Sequence, residues 1–122
     1  MPNDCNNWIT VTCNDETTFN KFIENELSDI EKYNSEHHEV IKILRKGKLG
    51  IVFKLWSPWV PNFDWLETTL NNYPGIWIKN EWREEGGMAG VWIGYMKNNE
   101  PYINKLNWKD LSIEEEDHLF RE

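Results

Sequence analysis

The patterning of the chain predicts an α+β domain in the order βαββαββ, with two helices on one face of an antiparallel-dominated sheet. Three observations carry that expectation. Gly75 to Lys97 splits into two alternating segments about Glu85-Gly86-Gly87, and Leu49 to Trp56 alternates in the same way after Lys46-Gly47-Lys48. Phe19, Phe22, Ile23, Leu27, Ile30 and Tyr33 instead recur at spacings of three and four. A period of two marks a strand with two different faces, and a period near 3.6 marks an amphipathic helix.

In chain order, Asn6 to Cys13 reads as the first strand, with Ile9, Val11 and Cys13 on one side and Trp8, Thr10 and Thr12 on the other. Asn14 or Asp15 offers a capping oxygen, and the first helix is expected from about Glu16 to Tyr33. Glu39 to Arg45 and Leu49 to Trp56 form the first hairpin. Ser57-Pro58-Trp59-Val60-Pro61 ends it, because proline cannot donate to a ladder. Pro61 suits the first turn of a second helix, whose stripe is Phe63, Leu66, Leu70 and Tyr73. Tyr73-Pro74-Gly75 stops that helix. In the last hairpin Ile76, Ile78 and Trp82 alternate with Trp77, Lys79, Glu81 and Arg83, and Val91, Ile93 and Tyr95 alternate with Gly90, Trp92, Gly94 and Met96. Four strands and two helices in this order are the ferredoxin-like split βαβ plan, with the fifth strand added beside the fourth.

At 122 residues the chain is long enough for one domain with its own core. Residues 1–99 are expected to form it, and 100–122 a C-terminal extension that packs on the sheet or on a partner. Within that extension, Ser112 to Phe120 suits a short helix with Glu114-Glu115-Glu116-Asp117 in its first turn. Twenty-one acidic against thirteen basic residues give a net charge of −8. That charge opposes generic binding to nucleic acid or to an anionic membrane, since phosphate neutralisation dominates such affinity. Neither a run of about 18 apolar residues nor a signal-peptide pattern occurs, so the host-cell cytoplasm is the expected location, with virion association the other setting. Cys5 and Cys13 on one strand lie roughly 26 Å apart, beyond disulfide reach, and two cysteines do not hold an iron–sulfur cluster.

Several short features resemble the YubB ferredoxin-like domain family of plasmids, phages and other mobile or viral genomes. They are the opening Met1-Pro2-Asn3-x-Cys5-x-Asn7, Trp56-Ser57-Pro58 ending a strand, Tyr73-Pro74 ending the second helix, and Glu84-Glu85-Gly86 leading into Ala89-Gly90. The resemblance spans residues 1 to about 97. It implies the fold and a mobile-element origin, and it transfers no active site.

The strongest functional lead is a face of the sheet. Sorted by parity, Ile9, Val11, Ile51, Phe53, Ile78, Val91 and Ile93 are expected under the helices. Trp8, Val52, Trp56, Trp77, Trp92 and Met96 are expected on the open face, with Lys54, Lys79, Glu81 and Arg83 as a charged rim. Four exposed tryptophans are more apolar surface than a monomer comfortably leaves in water. Either the extension, with Trp108, covers them, or a protein partner or second copy does. Single-stranded RNA stacking on the same face is an alternative, as is an acidic inhibitor or nucleic-acid mimic that occupies the basic groove of a host defence or nucleic-acid-binding protein.

Other clusters favour plain readings. His37-His38-Glu39 lacks zinc-helix spacing and a third ligand, and Glu114 to Asp117 reads as a solvated helical turn. Pro58-x-x-Pro61 reads as a strand-to-helix connection rather than a polyproline ligand. No nucleophile or P-loop motif occurs, and Glu81, Glu84 and Glu85 read as a charged hairpin edge. Catalysis therefore finds little support, and no metal or other cofactor is called for.

Overall fold

A computed structural model describes residues 4–27 and 41–108. Strand β1 (Asp4–Cys13) leads into α1 (Glu16–Phe22), which continues as a π-helical turn over Ile23–Leu27. Strands β2 (Ile41–Lys46) and β3 (Gly50–Pro58) follow, then α2 (Phe63–Asn72), β4 (Ile76–Glu84), β5 (Ala89–Lys97) and β6 (Glu100–Trp108). The strands form one sheet in the order β2-β3-β1-β4-β5-β6. Every neighbouring pair is antiparallel. This is an α+β architecture compatible with a ferredoxin-like fold.

The sheet has one strand more than the patterning predicted. Residues 98 and 99 carry the reason. Asn98 and Asn99 both adopt positive φ, 53° and 63°, between the paired residues Lys97 and Glu100. Two consecutive residues in that conformation make a two-residue hairpin turn whose twist matches its strands, and asparagine tolerates it better than most side chains. The first nine residues of the expected extension therefore extend the sheet edge as β6, and Trp108 pairs with Ala89. The acidic run Glu114 to Asp117 and the helix suggested around it lie outside the described residues.

Both helices cover the same side. Phe19, Phe22 and Leu27 meet Leu66 and Leu70 over Ile9, Val11, Phe53, Ile78 and Trp92 in a single buried cluster. Asp15 caps α1, accepting from the Thr18 backbone N–H at 2.9 Å and its hydroxyl at 2.7 Å. That pairing holds the Asp15 carboxyl below its ordinary range. Asn62 caps α2 through the Trp65 N–H at 3.1 Å, so Pro61 stands just before the cap rather than in the first turn. Glu26 ties the helices together, accepting from Trp65 Nε1 at 3.1 Å and Tyr73 Oη at 2.9 Å. Ile30 and Tyr33, expected on the same stripe of α1, lie outside the described residues.

Strand β5 turns the opposite way from the one its hydrophobicity suggested. Trp92 is 0 % exposed in the helix-side core, and Met96 packs against that core. Val91, Ile93 and Tyr95 lie on the open side, half-buried. The turn dictates this. Glu84 N–H donates to Met88 O at 2.8 Å around a three-residue loop with Gly87 at φ 106°, which sets Trp82 opposite Gly90, Asn80 opposite Trp92 and Ile78 opposite Gly94. Cross-strand partners share a face, so Trp92 must join Ile78 and Asn80 inside. The glycines then supply room. A Cβ on Gly90 would stand 2.7 Å from the Trp82 ring, and one on Gly94 2.5 Å from the Trp92 ring.

Candidate functional site: the open face of the sheet

The register sets out the open face row by row. Across the middle run Lys42, Lys54, Trp8, Glu81, Val91 and Leu106, in strand order. The next row holds Val52, Thr10, Lys79, Ile93 and Asn104, and the one beyond it Thr12, Trp77, Tyr95 and Tyr102. On the other flank stand Trp56, Asn6, Arg83 and Ala89.

The structure brings together Trp8, Trp56, Trp77, Lys54, Lys79, Glu81 and Arg83 as the alternation of β1, β3 and β4 predicted. Trp92 and Met96 leave the set, because the β4–β5 register turns them inward. In their place β5 and β6 contribute Val91, Ile93, Tyr95, Tyr102 and Leu106. Tyr95 and Tyr102 stack with ring centroids 5.6 Å apart and planes 10° off parallel. The signals for these residues were the Asn98-Asn99 turn and the length of the Glu85-Gly86-Gly87 loop, both of which fix parity before hydrophobicity is weighed.

Charge is woven through the aromatics. Lys54 Nζ sits 5.7 Å from the centre of the Trp8 ring, within cation–π range. Lys79 pairs with Glu81 at 3.1 Å along β4. Trp56, 38 % exposed, donates its indole N–H to Asp4 Oδ1 at 2.8 Å. Among the described residues, Lys42, Arg45, Lys54, Lys79, Arg83 and Lys97 share the face with three strand carboxylates, Asp4, Glu81 and Glu100. On the described strands of this side basic residues thus outnumber acidic ones, in a chain whose net charge is −8.

The helix side differs at its far end, where β1, β3 and β4 place polar residues inside. Asn7 Nδ2 donates to Ser57 Oγ at 2.8 Å and to Leu55 O at 3.0 Å, and Asn80 Nδ2 donates to Asn7 Oδ1 at 3.2 Å. Ser57 Oγ in turn donates to Val60 O at 2.9 Å, so its proton faces a carbonyl and not a base. Burial pushes the Cys5 thiol up, and the Glu84 carboxylate adds to the rise, which suppresses the nucleophilic thiolate. This cluster is a fastening between strands, with neither an activated hydroxyl nor an activated thiol. Cys5 and Cys13 are both buried and free.

Among the described residues no group of three or more His, Cys, Asp or Glu side chains could hold a metal ion. His37, His38, Glu39 and His118 lie outside them. No described helix is long and apolar enough to cross a membrane. Comparison of the chain with family models, with curated proteins and with solved structures returns no match.

Proposed function

We propose that this protein is a non-catalytic protein-interaction domain on the split βαβ ferredoxin-like plan, and that its open sheet face seats on a partner protein. The observation that carries the reading is the aromatic field of half-buried Trp8, Trp77 and Tyr95 with exposed Tyr102, opposite the side on which both helices pack. Aromatic anchors supply binding energy in such a field, and the charges among them set orientation and association rate. The YubB-like resemblance adds an origin in a virus or mobile element. The test is binding of a hydrophobic dye, and retention of host proteins, by the full chain and by Trp8→Ala and Trp77→Ala. Dye and partner bound by the wild type and lost in both folded variants support the reading. A full chain that binds neither, or variants that retain the same partner, defeats it.

The cations among the aromatics favour one second reading, single-stranded RNA laid across the face. Base stacking on aromatics with backbone contacts from lysine and arginine is how sheet faces take RNA, and here the described strands of the face carry more lysine and arginine than carboxylate although the chain is acidic. Titration with an oligouridylate separates the two. RNA binding quenches tryptophan emission, weakens steeply from 50 to 200 mM salt, and fails in Lys54→Ala.

A further inference from the structure

The sheet ends in two edge strands, and they carry different chemistry. Strand β6 holds one acid and one base, Glu100 and Lys105, together with Pro101, which cannot donate to a ladder. Strand β2 is the opposite edge, with no described strand on its outer side. From Ile41 to Pro58, through β2, its turn and β3, the chain places Lys42, Arg45, Lys46, Lys48 and Lys54 and neither Asp nor Glu. All of β2 after Ile41 is exposed. Among the described residues none of its three cations pairs with a carboxylate.

Lysines and a bulge on an edge strand deter pairing of a sheet with its own copies. Here the ladder shifts between Ile43 and Arg45, leaving Leu44 as the extra residue. Like charges along β2 repel a second β2, and the same charges attract a strand of opposite sign. Two observations go beyond deterrence. Ile43 and Leu44 stand 41 % and 49 % exposed, apolar area that a purely protective edge has no need to display. The edge is also sorted by side, because Lys42 pairs with Lys54 and Arg45 with Val52 on the open side, whereas Ile43 pairs with Phe53 on the covered side. We propose that the outer edge of β2 is a docking site for an extended acidic segment of a partner polypeptide, added to the six-stranded sheet as one further strand. Carboxylates on one side of that segment meet Lys42 and Arg45, and apolar side chains on its other side meet Ile43. Charge complementarity selects the anion. The ladder edge selects polypeptide over nucleic acid, because a second backbone offers N–H and C=O groups at the matching spacing. The site is an edge rather than the tryptophan field, whose Trp8 and Trp77 lie beyond β3 on β1 and β4, so this proposal and the open-face reading fail separately.

The experiment uses the full chain labelled with ¹⁵N and the blocked peptide acetyl-Glu-Val-Glu-Val-Glu-Val-Glu-amide. Backbone amide signals of residues 42–46 are expected to shift saturably, and the indole signal of Trp77 to stay still. Replacing every glutamate of the peptide by lysine should weaken binding at least about tenfold. N-methylation of every peptide residue keeps the charges, removes the ladder donors and should weaken it as much. The triple variant Lys42→Gln/Arg45→Gln/Lys46→Gln changes exposed positions only and should lower affinity for the glutamate peptide about tenfold. Equal affinity for the lysine or the N-methylated peptide, unchanged affinity in the triple variant, or shifts confined to the Trp77 indole would each overturn the assignment. An oligouridylate that moves the same amides and binds more tightly than the peptide would overturn it in favour of nucleic acid.

Discussion

The two faces of the sheet come from the same strands and the same alternation, yet they hold their side chains by different means. Beneath the helices, Ile9, Val11, Phe53, Ile78 and Trp92 are sealed by Phe19, Phe22, Leu66 and Leu70, with dispersion and apolar burial as the binding force. On the open side, Trp8, Trp77 and Tyr95 are only half-buried, with Lys54 Nζ over the Trp8 ring and Tyr95 stacked on Tyr102. One face is a core that binds the protein to itself. The other keeps aromatic area in reserve, with charge distributed through it.

The sharpest way to break that contrast is to remove a tryptophan from each side. Trp92→Ala should cost about 3–5 kcal/mol by leaving a cavity in the core, against about 1 kcal/mol for Trp77→Ala, both read from denaturant midpoints. Equal losses would mean that the faces are not so different. A smaller effect tests how the core indoles fit. Gly94→Ala drives a Cβ into the Trp92 ring and Leu70, and overpacking of this kind should cost about 1–3 kcal/mol, whereas Gly47→Ala, whose Cβ meets nothing nearer than Gly50 O at 3.9 Å, should be near neutral. Next comes the frame that seals the covered side. Asn62→Ala removes the cap of α2 and should lower stability by about 1 kcal/mol without changing dye binding at the open face.

The mildest probe is pH. Cys5 and Tyr73 both lie on the covered side, and burial raises the pKa of the Cys5 thiol and of the Tyr73 phenol above their ordinary values. A raised value means that the folded state keeps its proton longer than the unfolded chain does. Stability from these two groups is therefore fully present below about pH 9 and declines as pH rises through the folded values. Urea midpoints at pH 7, 9 and 10.5 should show that decline, and Cys5→Ala should flatten its early part. A rise in stability above pH 9 would contradict the burial assigned to both groups.

Much of this was legible in residues 4–27 and 41–108. The alternation of β1, β3 and β4 placed Trp8, Trp56 and Trp77 with Lys54, Lys79, Glu81 and Arg83 on one side, because local period and burial agree there. The stripes of α1 and α2 picked out Phe19, Phe22, Leu66 and Leu70 for the same reason. Asn98-Asn99 was equally readable as a hairpin, but the polar residues after it obscured β6. A cleft between the end of β3 and the start of α2, lined by Trp56, Pro58, Pro61 and Trp65, was not legible, because its walls come from both sides of a connection.

By itself, then, the sequence determined periods and turns, since these depend on neighbours a few positions away. Which side of β5 faces inward followed from its pairing with β4 and the packing that pairing permits, not from the hydrophobicity of β5 itself. Gly90, Trp92, Gly94 and Met96 are no more apolar to the eye than Val91, Ile93 and Tyr95. The closing pair Glu84 and Met88 sets the register, the register sets Trp92 beside Asn80, and the missing side chains of Gly90 and Gly94 leave room for the indoles of Trp82 and Trp92. Hydrophobicity ranks residues one at a time, whereas a sheet turns a whole strand at once.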